Sequence, residues 1–145
     1  MILNHNPKFV DQTIFATKEN IECGVFGNCM QAAIASLFGK PLDSVPNFAA
    51  FQCWSCAIRL WASGLGLNFC GNRDKNNPPE GLCIITGKSP RGYGHVCLFQ
   101  DGQIIFDPHP SRDGLISIDG YWWFERSDEG AVCCLCNCDF PEKRR

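Results

Sequence analysis

Hydrophobic positions along the chain change their period once. In the N-terminal half they recur every three to four residues, and after about residue 80 they fall in short β-prone runs. Met30, Ala33, Ile34, Leu37 and Phe38 make one apolar face of a helix that begins at Cys29 and is stopped by Gly39 and Pro41. Asn28 is expected at its N-cap, its side-chain oxygen accepting from a first-turn amide, and Gly39 at the position past the end that needs positive φ. The prolines and Asp43 in Pro41 to Pro46 predict a turn of helix. Phe48, Phe51, Trp54, Ile58, Trp61 and Leu65 predict a second helix of about five turns, ended by Gly64 or Gly66. Thr13, Ile14 and Phe15 predict a short strand over Asp11 to Ala16, and Gly71 to Glu80, polar with Asn76-Asn77-Pro78-Pro79, predicts a surface loop. Strands are expected at Leu82 to Thr86, His95 to Phe99, Gln103 to Asp107, Leu115 to Ile118, Tyr121 to Phe124 and Ala131 to Cys136. Helices first and strands afterwards imply an α+β domain, with the helices on one side of an antiparallel sheet.

Composition narrows the picture further. With 145 residues the chain is long enough for one core and too short for two ordinary domains, so 1–145 is expected to be a single domain. A formal charge of −2, from 13 basic and 15 acidic residues, gives no field for nucleic acid or an anionic membrane. Met1 to Val10 is polar, with no apolar run of export-signal length, which predicts a soluble cytoplasmic protein. Eleven cysteines, an odd number, are then expected as reduced thiols. Neither Cys53-x-x-Cys56 nor the group Cys133, Cys134, Cys136 and Cys138 has the paired partners of a zinc finger, so no metal or other cofactor is expected.

Candidate chemistry centres on Cys29. A thiol at the first turn of a helix feels its unpaired amides and positive end, which favour negative charge on sulfur by roughly 0.3–1 kcal/mol at an exposed site. That is under one pKa unit, so a reactive cysteine also needs a cationic partner, usually histidine. The competing reading of Cys29 is a small buried hydrophobe. His5 lies in the polar terminus and is expected to be solvated, whereas His95 opens a strand after Tyr93-Gly94 and a following hairpin returns Asp107 beside it. Cys29, His95 and Asp107 thus offer a nucleophile, a base and an orienter. His109, in Asp107-Pro108-His109-Pro110-Ser111, is the alternative base. Ser89, Arg91, His109, Ser111 and Arg112 in the flanking loops would suit an anionic or carboxylate-bearing substrate.

The hairpin around Gln100-Asp101-Gly102 decides whether this constellation forms. A two-residue Asp101-Gly102 turn of type I′ puts Val96 opposite Asp107 and turns His95 to the other face. A three-residue loop with a left-handed Gly102 pairs Phe99 with Gln103 and sets His95 directly opposite Asp107. The three-residue loop is the expectation adopted, because the triad requires it.

A helix that starts on cysteine, followed by a sheet supplying His and then Asp, resembles papain-like cysteine peptidases, and in its brevity their bacteriocin-leader peptidase branch. Gly27-Asn28-Cys29 with Ala-Ser-Leu in the helix, Pro46-Asn47-Phe48, Ser89-Pro90-Arg91-Gly92 and Asp107-Pro108-His109-Pro110-Ser111 resemble a group of small, phage-type proteins with this fold. The resemblance implies a minimal papain-like domain with Cys29 as nucleophile, His95 as base and Asp107 orienting it. Family members carry a glutamine oxyanion donor about six residues before the nucleophile, where this chain has Cys23. Gln12, on the preceding strand, is the candidate substitute beside the Cys29 amide, its other and slightly favoured reading being an exposed strand glutamine, and Arg91, His109 and Ser111 are the substrate-binding candidates. The expected activity is that of a hydrolase or acyltransferase of peptidase, isopeptidase or deamidase type, acting on a protein, peptide or small amide. The alternatives are a non-catalytic binding module of the same fold, such as a phage protein acting on a host factor in its cytoplasm, and a zinc-stabilised structural protein.

Overall fold

In the computed structural model, residues 5–127 are described. Three helices, α1 (Lys18–Glu22), α2 (Cys29–Phe38) and α3 (Trp54–Ser63), precede five strands: β1 (Leu67–Asn72), β2 (Cys83–Lys88), β3 (Gly94–Gln100), β4 (Gln103–Phe106) and β5 (Ser117–Arg126). The strands form one antiparallel sheet in the order β1-β5-β2-β3-β4. The class is therefore α+β, as expected.

Helix α2 follows its predicted bounds, and Gly39 ends it in the left-handed conformation at φ 63°. Ala33, Ile34 and Leu37 are fully buried on the sheet, and Ala32, Ala35 and Ser36 are buried too, so the helix is enclosed nearly all round. Ser36 makes the enclosure specific: its Oγ accepts from Val10 N–H at 2.9 Å and its carbonyl from Lys8 N–H at 3.0 Å. The expected five-turn helix divides into a 3-10 turn, Phe48–Ala50, and α3, because Phe51 and Cys53 are extended. Each piece still delivers its aromatic residues to one place, since Phe48 and Phe124 both meet the Trp61 ring edge-on, at 5.7 and 6.3 Å. Both longer helices cover one face of the sheet, where Ile84, Val96, Leu98, Phe106, Phe69 and Phe124 join Ile34, Leu37 and Ile58 in the main core. Full burial contributes about 1.5–3 kcal/mol for each such side chain, so this layer fixes where the start of α2 sits on the sheet. Cys83, Ile85, Cys97, Phe99 and Tyr121 form a smaller cluster on the strand positions of opposite parity.

Several expectations are corrected. Residues 11–16 form no strand, because the Asn28 side chain takes the amides of Thr13 and Ile14 that a ladder would have used. Helix α1 and strand β1 lie where neither was expected. Leu67–Asn72 lacks a clean alternating pattern, and it is held by pairing with β5 along its whole length. The two strands expected at 115–118 and 121–124 are one strand, β5, continuous through a bulge. The strand expected at Ala131 to Cys136 and the terminal cysteines lie outside the described residues. Cys23, Cys29, Cys70, Cys83 and Cys97 are free thiols, but Cys56 is disulfide-bonded, against the expectation of reduced thiols. Cys53 is not bridged to Cys56: its thiol donates to Cys56 Sγ at 2.8 Å, because three residues' spacing at the start of α3 brings the two to one face.

The β3–β4 hairpin departs from the adopted register in an instructive way. Its turn has two residues, with Asp101 at φ 52° and Gly102 at φ 83°, and Gln100 pairs with Gln103. This is the type I′ geometry that Asp-Gly favours. One step further the register shifts: Phe99 pairs with Ile104 and Leu98 with Phe106, leaving Ile105 as an extra residue. The bulge moves the returning chain on by one, so Asp107 arrives level with Cys97 and on the same side of the strand as His95. Turn propensity and the His95–Asp107 contact are both satisfied.

Candidate active site

Asn28 builds the corner on which the site rests. It occupies the N-cap of α2, but its side chain makes no cap bond. Its Oδ1 accepts from Thr13 N–H and Ile14 N–H at 2.9 and 2.8 Å, and its Nδ2 donates to Thr13 Oγ1 and Gln31 Oε1. The expected cap is corrected accordingly: the side chain is spent on clamping residues 13–14 to the start of α2. The first-turn amides, that of Cys29 among them, are left without a side-chain cap. The same clamp holds Gln12, whose own N–H donates to Pro108 O at 3.0 Å. Gln12 is 5% exposed, its Nε2 donates to Ile14 O at 2.9 Å, and its Oε1 is a buried acceptor without a partner.

His95 and Asp107 are buried at 5% and 4% exposure, with His95 Nε2 at 2.6 Å from Asp107 Oδ1. The carboxylate is saturated in orientation: Oδ1 also accepts from His109 N–H at 2.9 Å and Oδ2 from Gly114 N–H at 2.8 Å. Burial works against the carboxylate, but these hydrogen bonds and the charge of His95 hold its pKa down to about 2. Burial alone would lower the His95 pKa, yet the hydrogen bond with Asp107 and the neighbouring thiols of Cys29 and Cys97 outweigh it and raise it to about 11. With Nε2 on Asp107, Nδ1 is the ring nitrogen left for a thiol. The structure thus hydrogen-bonds His95 to Asp107 and sets Cys29 and His95 on the wall of one cavity.

Cys29, His95, Gln12, Arg91 and His109 line one cavity of about 340 Å³, walled by Phe26, Met30, Phe48 and Trp54. Ser111 does not line it. Its Oγ accepts from Arg91 Nη1 at 3.1 Å, so it steers the arginine from behind. His109 is held by Ser111 N–H donating to its Nδ1 at 3.0 Å, and its ring centre is 6.3 Å from that of His95. Partial burial and the nearby charges of Arg91 and His95 lower its pKa. Arg112 donates to Asp11 Oδ1 and to the Asp107 carbonyl, so it braces the loop and does not line the cavity. His5 is not solvated: its ring meets Phe38 edge-on at 5.0 Å, and burial lowers its pKa.

Two features escaped the sequence reading. Cys97 stands beside His95, their ligand atoms within 4.8 Å of one another, and the period of two along a strand signals it, because residues 95 and 97 share a side. Asp119 lines the cavity from a bulge in β5, and its signal was an Asp-Gly pair inside a strand pattern. Among the described residues, His95, Cys97 and Asp107 are the group whose ligand atoms lie within 4.8 Å of one another. A metal there would have to displace the His95–Asp107 hydrogen bond from a carboxylate that already has two backbone donors. No described helix is long and apolar enough to cross a membrane. Set against known protein families, curated proteins and solved structures, the chain matches none of them.

Proposed function

We propose that this chain is a cysteine-nucleophile hydrolase or acyltransferase of papain-like type, acting on an amide of a protein, peptide or small molecule. The observation that carries the reading is Cys29 sharing the wall of one apolar cavity with His95, whose imidazole is hydrogen-bonded to a fully hydrogen-bonded Asp107. In this reading the nucleophile is the Cys29 sulfur, at the uncapped start of α2 and on the same cavity wall as His95. Sulfur attacks the carbonyl carbon and the C=O pair moves onto oxygen. The Cys29 N–H and the second Nε2 hydrogen of Gln12, whose first is used by Ile14 O, are the donors available to that oxyanion. Collapse breaks the C–N bond, and the His95 proton leaves with the amine. Neutral His95 then takes a proton from water, or from an acceptor nucleophile, as it attacks the thioester and releases Cys29. Arg91 and His109, on the same wall, are placed to meet an anionic part of the substrate.

Alkylation tests the reading directly. Iodoacetamide at neutral pH, followed by peptide mass spectrometry, is expected to label Cys29 ahead of every other cysteine, since burial raises the thiol pKa at Cys70 and Cys97 and pushes Cys83 up to about 12. Cys29→Ser should remove that labelling and leave a folded protein, because serine is at home in the first turn of a helix. Slow, uniform labelling of the folded protein would sink the enzyme and leave the cavity as the pocket of a binding module.

A further inference from the structure

The cavity holding Cys29 adjoins another. Trp54, Thr86 and Asp119 line both it and a second cavity of about 890 Å³, whose other walls include Arg73, Tyr121 and Trp122. Either volume alone accommodates a small ligand, and the two share a wall of only three side chains.

Asp119 reaches that wall because the sheet is irregular there. Thr86 pairs with Gly120 and Gly87 with Ile118, so Asp119 is an extra residue in β5. A bulge re-aims the side chain it carries. The bulge also dictates its neighbour: a Cβ on Gly87 would lie 1.8 Å from the Ser117 carbonyl oxygen, so only glycine fits opposite it. Asp119 is exposed and forms no ion pair or hydrogen bond with any described residue. Arg73 comes close in backbone, since a Cβ on Gly120 would stand 3.0 Å from its Cα, yet it forms no ion pair with Asp119. Arg59, also on the second cavity, is engaged in contacts of its own. Trp54 lines the same two cavities as Asp119, its indole held edge-on to Trp122 at 5.4 Å. An unpartnered carboxylate and an indole lining the same cavity wall are chemistry that takes a cation.

We infer that Asp119 and Trp54 form a specificity subsite for a lysine or arginine side chain of a polypeptide substrate, reached from Cys29 across the shared wall. This rests on the nucleophile reading and extends it. Arg91 and His109 in the first cavity, and Arg59 and Arg73 in the second, are the opposing charges, and they make the alternative outcome an anionic preference.

The probes are alanine tripeptidyl acyloxymethyl ketones in which lysine, norleucine or glutamate replaces one alanine at a time, with iodoacetamide as reference in each variant. At one position the lysine compound should alkylate Cys29 about fivefold faster than norleucine, the effect of one partly exposed ion pair, and glutamate should be slowest. In Asp119→Asn the lysine and norleucine rates should converge, and in Asp119→Lys the order should invert. Equal rates for all three side chains at every position, or a glutamate preference abolished by Arg73→Gln, would overturn the assignment. A second arm separates this from the chemistry: the matching tripeptide amides are titrated against Cys29→Ser by tryptophan fluorescence. If iodoacetamide does not prefer Cys29, the nucleophile reading falls. The charge preference in the serine variant, and its loss with Asp119→Asn, still decides the subsite.

Discussion

Replacing Asp107 by asparagine tests the electrostatic core of the site, and its cost can be worked from the contacts. The carboxylate accepts on both oxygens, from His95 and His109 N–H on Oδ1 and from Gly114 N–H on Oδ2. An amide has one oxygen. Placed on the His95 side it turns its NH₂ toward the Gly114 N–H, and placed on the other it turns NH₂ toward the imidazole and the His109 N–H. Either way at least one buried donor loses its acceptor, at about 1–3 kcal/mol. The charge adds to this. A His95 pKa raised from 6.5 to about 11 corresponds, at 1.36 kcal/mol for each pKa unit, to a ceiling of about 6 kcal/mol. Breaking buried pairs costs about 3–5 kcal/mol in practice, and here His95 can shed its proton to relieve part of it. We expect a net loss of about 3 kcal/mol near pH 5, seen as a fall in Tm of roughly 10 °C.

The pH profile carries the sign. His95, with its folded pKa raised above 6.5, stabilises fully below pH 6.5 and loses that contribution as pH climbs toward about 11. Asp107, depressed from 3.8 to about 2, stabilises fully above pH 3.8 and loses that contribution as pH falls toward 2. The gap between wild type and Asp107→Asn, measured by urea denaturation, should therefore be widest between about pH 4 and 6.5 and narrow on both sides. Ring chemical shifts should show His95 still protonated at pH 8 in the wild type and neutral there in the variant. A wild-type His95 that titrates near 6.5, or a stability gap independent of pH, would refute the reasoning.

Two other substitutions probe the scaffold. Asn28→Ala removes the acceptor for two backbone amides at a residue 2% exposed, so it should cost about 2–4 kcal/mol and speed hydrogen exchange at Thr13 and Ile14 well before the α2 core opens. Unchanged exchange there would show that Asn28 does not clamp the Gln12 segment. Gly87→Ala forces a Cβ to 1.8 Å from the Ser117 carbonyl, so thermal unfolding should register at least the upper end of the roughly 1–3 kcal/mol typical of overpacking. A Tm within a degree of wild type would mean that the β2–β5 bulge yields at little cost.

Local chemistry alone determined a good part of this molecule. The bounds of α2, its glycine stop and the strands β2 and β3 follow from side-chain period and glycine conformation, and the type I′ turn follows the Asp-Gly propensity that the adopted three-residue loop had set aside. The candidacy of Cys29, His95 and Asp107 was likewise legible, since a thiol at a helix start calls for an imidazole, and a strand opening on histidine offers one. Tertiary structure decided the rest. The Ile105 bulge returns Asp107 to the side of His95, and no pattern in Gln103-Ile104-Ile105-Phe106 marks which residue will bulge, because that depends on how Phe106 seats in the core beneath β3. Whether residues 11–16 became a strand turned on Asn28, remote in sequence, supplying acceptors for their amides. Strand β1 exists because β5 pairs with it, and its own sequence carries little strand preference. Asp119 faces the cavity because two strands disagree by one residue in register. Period and propensity are properties of a segment, whereas register and bulges are settled between segments that meet only in the folded chain.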